Sequence, residues 1–188
     1  MYHQTACGKT VEITERSVAH LGAHADISPF LPEAISKAVF PVDGDLIAEV
    51  DLGRLIGRRG ATSHDLVCLD QPVLFAQRVN RPYPTRVAVG VAGEETTRVV
   101  LIAGRNRSEP RSLFLRTAWI GTKSMREPWD MAIESQQEFD ACLHFWSSSA
   151  LIHDAAAMGQ PFVSTWREVL RHAGCKYALP RSTVPRAA

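Results

Sequence analysis

Histidine is the side chain whose ordinary titration lies closest to neutral pH, and the chain carries seven of them. His20 and His24 are four residues apart, so a helix would stack their imidazoles on one face. A pair at that spacing can bind zinc. No glutamate stands beside it and no third ligand is apparent, so no metal site is predicted. Two readings stay open for the pair: a structural role, and proton transfer. His144, His153 and Asp154 come late in the chain. His153 and Asp154 are adjacent, so on a strand they would point to opposite faces and form no dyad. Cys7, Cys68, Cys142 and Cys175 lie far apart with no CxxC pair. That pattern argues against a zinc ribbon and for buried free thiols in a reducing compartment.

The second chemical resource is arginine. Of 21 basic residues only Lys9, Lys37, Lys123 and Lys176 are lysines, and the charge is unevenly placed. Residues 1–52 hold three basic and eight acidic side chains, a net −5. Residues 53–126 hold thirteen and five, a net +8, and residues 127–188 come to −2. A composition that prefers arginine explains the ratio to lysine but not the clustering. The planar guanidinium fork suits phosphates and base edges, so the central stripe points to an RNA, DNA or phosphate partner.

Within that stripe, Arg78 and Arg81 close a predicted strand, where two forks can hold a phosphodiester; a solvated sheet edge is the other reading. Arg54, Arg58 and Arg59 interleave Gly53, Gly57 and Gly60 with no P-loop lysine following, which reads as a mobile basic loop. Arg116 and Thr117 fall in a central predicted strand, and Lys123 follows in a loop. Thr117 can hydrogen-bond a phosphate or simply fill a β position. Trp119 and Trp129 can stack on bases or serve as core. No GxGxxG, P-loop or GxSxG motif is present, and no cofactor is expected.

These residues need elements to position them. Residues 10–13 alternate like a strand and run into Thr14, a predicted N-cap for a helix over 15–25. A second helix is predicted with its start at Ser28-Pro29 and Pro32-Glu33, with Leu31, Ile35, Ala38 and Val39 on one face, ending at Pro41. Strands are then predicted at 46–52, 73–79, 85–91, 96–103 and 113–120, separated by turn-forming residues. Short connections between them favour antiparallel pairing. A helix is expected over 135–147, a short strand at 150–152, a helix over 161–173 and a loose tail over 180–188. The fold class expected is α+β: N-terminal helices, an antiparallel sheet of four to five strands, and a C-terminal helix.

Several of these segments, taken in order, resemble a known family. Asp51-Leu52-Gly53-Arg54 and Phe75-Ala76-Gln77-Arg78-Val79-Asn80-Arg81 resemble a "VDLG … YAKRxxR" pattern. Val99-Val100-Leu101-Ile102 and Leu115-Arg116-Thr117-Ala118-Trp119-Ile120-Gly121 resemble "VxLxx … LxTAYxG". Glu127-Pro128-Trp129-Asp130 and Phe145-Trp146-Ser147-Ser148-Ser149-Ala150-Leu151-Ile152 resemble "PWD … FWxxHALV". Together they look like the phage and polymorphic-toxin branch of the barnase–EndoU–colicin–RelE-like (BECR) ribonucleases, over about residues 10–153.

The resemblance implies metal-independent cleavage of RNA by 2′-OH transesterification. A base takes the 2′-OH proton, the oxygen attacks phosphorus, and an acid protonates the leaving 5′-oxygen. It would make His20 or His24 the base or acid, with Arg78 and Arg81 on phosphate and Thr117 beside it. Arg54, Arg58, Arg59, Arg116 and Lys123 would complete an RNA-binding surface. Ser149 stands where the pattern has histidine, and a serine does not titrate near pH 7. A second reading is therefore a catalytically inactive binding protein, such as a phage or mobile-element inhibitor of a host nucleic-acid-handling or defence complex.

The expected domain organisation is one α+β domain over 1–160 and a helix and tail over 161–188. The expected partners are RNA, including tRNA, or a nucleic-acid-binding complex, and an immunity protein if the chain is a toxin. No apolar run approaches the roughly 20 residues of a membrane-spanning helix, and no secretory signal is visible, so a cytoplasmic protein without a membrane partner is expected.

Overall fold

A computed structural model describes residues 1–21, 26–60, 69–79, 81–106, 109 and 111–179. Their first stretch forms β1 (Tyr2–Gln4), β2 (Thr10–Glu12), α1 (Glu15–Leu21) and α2 (Leu31–Lys37), the last preceded by a 3-10 turn at Ser28–Phe30. Then come β3 (Ile47–Asp51), β4 (Gly57–Arg59), β5 (Val73–Gln77), β6 (Pro84–Ala88), β7 (Glu94–Thr96), β8 (Arg98–Arg105) and β9 (Ser112–Ile120). The chain continues with α3 (Gln136–Ser148), β10 (Leu151–Ile152), β11 (Phe162–Ser164) and α4 (Trp166–His172). The fold is α+β with a C-terminal helix. The tail predicted over 180–188 lies outside the described residues, as do Asn80 of a predicted turn, Cys68 and residues 22–25 of the first predicted helix.

Two compact units share the chain: Met1–Arg59 with Glu95–Lys123, and Gly60–Glu94 with Ser124–Ala188. The first is built on a five-stranded sheet of order β1-β2-β9-β8-β3. Its pairings are antiparallel except β2 with β9, which run parallel with Val11 opposite Leu113. One face is apolar: Val11, Val99, Leu101, Leu113, Leu115 and Ala118 pack with Ile27, Leu31, Ala34, Ile35 and Phe40. Leu31, Ala34 and Ile35 follow helical spacing, which is why α2 lies on this face. Thr14 caps α1 as its position suggested, accepting from the Ser17 amide at 3.1 Å. The buried Ser17 hydroxyl then donates to the Leu115 carbonyl at 2.5 Å, fixing α1 to β9.

A β-bulge breaks the simple alternation of β9. Thr117 lies opposite Ile102 and Leu115 opposite Ala103, so Arg116 has no cross-strand partner in β8. Leu115 and Ala118 consequently both face the core although three residues apart. Strict alternation could not have done this.

The second unit holds a four-stranded sheet of order β10-β6-β5-β11. β5 pairs antiparallel with β6 and β11, and β10 runs parallel to β6. Its core gathers Phe75, Ile133, Phe139, Leu143, Trp146, Trp166 and Leu170. Trp166 meets Phe75 edge-on at 5.0 Å between centroids and stacks on Trp129 at 5.9 Å. The helix predicted over 161–173 is shorter, because Phe162 and Val163 extend as a strand against β5. Aromatic and β-branched residues fit that pleat. α4 begins only after Thr165, whose hydroxyl accepts from the Glu168 amide at 3.1 Å while the Glu168 carboxylate accepts from the Thr165 amide at 3.0 Å.

Candidate nucleic-acid interface

The clustered cations meet the acidic residues of the N-terminal segment in space. Arg54 grips Glu33 with both Nη atoms, at 2.9 and 2.5 Å, and lies 6.0 Å over the Phe30 ring. Hydrogen bonds from Arg54 and Lys37 hold the Glu33 carboxyl down to about 2. Arg58 reaches Glu95 at 3.0 Å, and Arg98 pairs with Glu49 and lies 3.9 Å from Asp51. Arg59 donates to the Thr122 hydroxyl at 3.0 Å. The Lys123 amide donates to Glu49 at 2.8 Å, and its exposed ammonium has no partner among the described residues. The basic stripe is thus partly neutralised before any ligand arrives.

Arg116 differs from the paired arginines. It is exposed beside the bulge of β9, and its guanidinium has no carboxylate or hydrogen-bond partner among the described residues. Thr117 next to it is half-buried. His20 lies in α1, but its side chain is not among those described, and His24 is outside the described residues.

Arg78 and Arg81 belong to the second unit. Arg78 forms an isolated bridge with Met158, and its Nη1 lies 3.9 Å from a Glu127 carboxylate oxygen that also accepts from the Thr85 hydroxyl. Burial pushes the Arg78 guanidinium down, with the Arg81 charge adding to it and Glu127 opposing. Arg81 is exposed; its amide donates to the Arg78 carbonyl at 3.3 Å, and its carbonyl accepts from the Gln77 side chain. Each unit therefore carries part of the predicted set.

The remaining candidates have local roles. Trp129 is a core ring, and Trp119 donates its Nε1–H to the Thr122 carbonyl at 3.2 Å. His144 is exposed on α3, while a ring nitrogen of His153 sits 3.2 Å from the Gly159 carbonyl. Asp154 accepts from the Ala156 amide at 2.8 Å, so it shapes a turn. Ser149 is the extended residue that ends α3. Cys142 is buried as expected, but Cys7 is exposed. Among the described residues no cluster of three or more His, Cys, Asp or Glu is arranged for a metal, and no helix is long and apolar enough to cross a membrane.

One feature of the first unit was not singled out in the sequence. An open depression of about 560 Å³ is lined by Glu12, Thr14, Gly104, Arg105, Asn106, Phe114 and Arg116. Phe114 lies between Glu12 of β2 and Gly104 of β8 in the strand register. Its ring rests on Gly104 so closely that a β-carbon there would fall 2.3 Å from Cζ. A glycine in a strand interior is the local signal for such close approach. Its partner could not be found without the register.

Compared with family models, curated proteins and solved structures, the chain matches none.

Proposed function

We propose that this chain is a toxin-like RNA-binding protein of the BECR kind, holding RNA on the first unit. The observation that carries the reading is Arg116: an exposed guanidinium with no carboxylate on it among the described residues, where Arg54, Arg58 and Arg98 are all paired. A cation already neutralised releases little counterion from a phosphate, whereas an unpaired one contributes fully. Helices α1 and α2 packed on one face of a largely antiparallel sheet agree in outline with the resemblance.

The catalytic form of the reading assigns His20 or His24 to proton transfer and 2′-OH transesterification to the chemistry. The products would be a 2′,3′-cyclic phosphate and a free 5′-hydroxyl, with no metal required. The second reading, binding without cleavage, is favoured by Ser149, which terminates α3 where the family pattern has histidine.

The test is one titration and one digestion. RNA affinity should fall steeply with salt, and Arg116→Ala should lower the slope of log K against log salt by about 1. RNA cut in the presence of EDTA to cyclic-phosphate ends, and left intact by His20→Ala, selects the nuclease. Bound but uncut RNA selects RNA binding without cleavage, and no RNA binding at low salt rejects both RNA readings and turns the test to a pulldown for a protein complex.

A further inference from the structure

We propose that Phe114 is a stacking platform for an amino-bearing base of single-stranded RNA, with Glu12 accepting from that amino group and Arg116 holding the neighbouring phosphate. The inference rests on the RNA-binding reading above and names the substrate class at that surface.

The geometry begins with a glycine. Gly104 has no β-carbon, so the Phe114 ring lies down on strand β8 and turns its other face toward the depression. Phe114 is half-buried, and among the described residues its ring has no partner ring of the kind that occupies Trp129, Trp166 and Phe75 in the second unit. An aromatic face pinned flat on a sheet and open on one side is what a nucleobase stacks upon. Such a face takes an unstacked base, and a duplex keeps its bases stacked on one another.

The charges around the ring orient the ligand. Glu12 is the direct cross-strand neighbour of Phe114, and its Oε1 accepts from the Tyr2 hydroxyl at 3.2 Å. An ionised carboxylate has about four lone-pair sites, so capacity remains for a ligand donor. The same charge repels a phosphate, which is left to the arginine side of the depression. There Arg116 is unpartnered among the described residues, and Arg105 uses one Nη to donate to the Val42 carbonyl at 2.7 Å, leaving further N–H groups.

Base identity follows from the Glu12 carboxylate. Adenine, cytosine and guanine each carry an exocyclic amino group that can donate to it. Uracil offers only an N3–H flanked by two carbonyl oxygens, which the carboxylate repels. The open depression of about 560 Å³ has room for one nucleotide beside the Phe114 ring.

The experiment compares labelled oligocytidine and oligouridine, each about eight nucleotides long, with a duplex of the same length, by fluorescence anisotropy at fixed ionic strength. Wild type is expected to bind oligocytidine about tenfold tighter than oligouridine, and the duplex more weakly than either. Glu12→Gln, whose amide can also donate, should erase the preference. Phe114→Leu should weaken both single strands by about tenfold, and Phe114→Trp, which restores a π face, should recover them; thermal melts establish that each variant is folded. Equal affinity for cytidine and uridine overturns the Glu12 assignment. A duplex bound as well as single strands, with Phe114→Leu silent, overturns the platform while RNA binding itself stands. No binding to any RNA overturns this inference and the function it rests on together.

Discussion

Both units pair arginines with surface carboxylates, as Arg126 and Arg167 do in the second, but among the described residues only the second also buries one. In the second, Arg86 is buried on β6 and donates to the Ser147 carbonyl at the end of α3, and Arg78 is largely withdrawn from solvent beside Glu127. There the guanidinium joins elements together. In the first, Arg54, Arg58 and Arg98 meet carboxylates at the surface, and Arg116 meets none among the described residues. Residues 53–126 carry a net +8 in sequence, yet that charge is divided between two units and locally offset in each. A run of arginines in a chain is a property of composition; a binding surface exists only where folding leaves the charge uncompensated.

The sharpest way to break this contrast is to mutate one arginine of each kind. Arg86→Met keeps most of the side-chain bulk but removes the donor to a buried carbonyl, and should cost about 2–3 kcal/mol in a denaturant melt. Arg116→Ala should change stability by less than about 0.5 kcal/mol while still weakening RNA. Equal costs for the two would erase the distinction between a structural and a free guanidinium.

A smaller effect is expected at Gly104. An added methyl must push the Phe114 ring away, which should cost about 1 kcal/mol, and adding Phe114→Ala should recover most of it. Strictly additive melts would mean that the ring does not rest there.

The smallest effect appears only in acid. Glu33 titrates near 2 in the folded protein against an ordinary value of 4.5, because Arg54 and Lys37 hydrogen-bond its charged form. Its depressed value means that the stabilisation is complete above pH 4.5 and is lost as the pH falls toward 2. Glu33→Gln should lower the neutral plateau slightly and flatten the acid limb, so that the two stability-against-pH curves converge as the pH falls toward 2. An unaltered acid limb would show that the ion pair contributes nothing.

Local structure was readable where a local signal existed. Thr14 caps α1, Leu31 and Ile35 of the predicted stripe are buried on α2 although Val39 is exposed, and the strands predicted at 96–103 and 113–120 become the two longest, β8 and β9. The capping box Thr165–Glu168 is a local signal that starts α4 after Thr165, inside the helix predicted from 161. What the sequence hid was long-range. Turn residues between 77 and 94 suggested one continuous meander, whereas β5 and β6 form their own sheet with β10 and β11, from more than 60 residues later. The site followed the same rule. Arg116 was visible as a basic residue on a strand, but its lack of a partner depends on a bulge and on which carboxylates fold near its neighbours. Glu12, Gly104 and Phe114 are unremarkable one by one; they become a row only through the parallel pairing of β2 with β9.

The interleaving of the two units also bears on how the chain is made. The ribosome delivers β3 long before β8 and β9, its companions in the five-stranded sheet, so that sheet cannot close until residue 120 has emerged. By then β5 and β6 are already out, with Phe75 and Val87 uncovered and β10, β11, α3 and α4 still to emerge. The nascent chain must therefore carry an unfinished hairpin with apolar side chains through the middle of its own synthesis, at roughly 5–20 residues per second, which is when sequestration by a chaperone matters most.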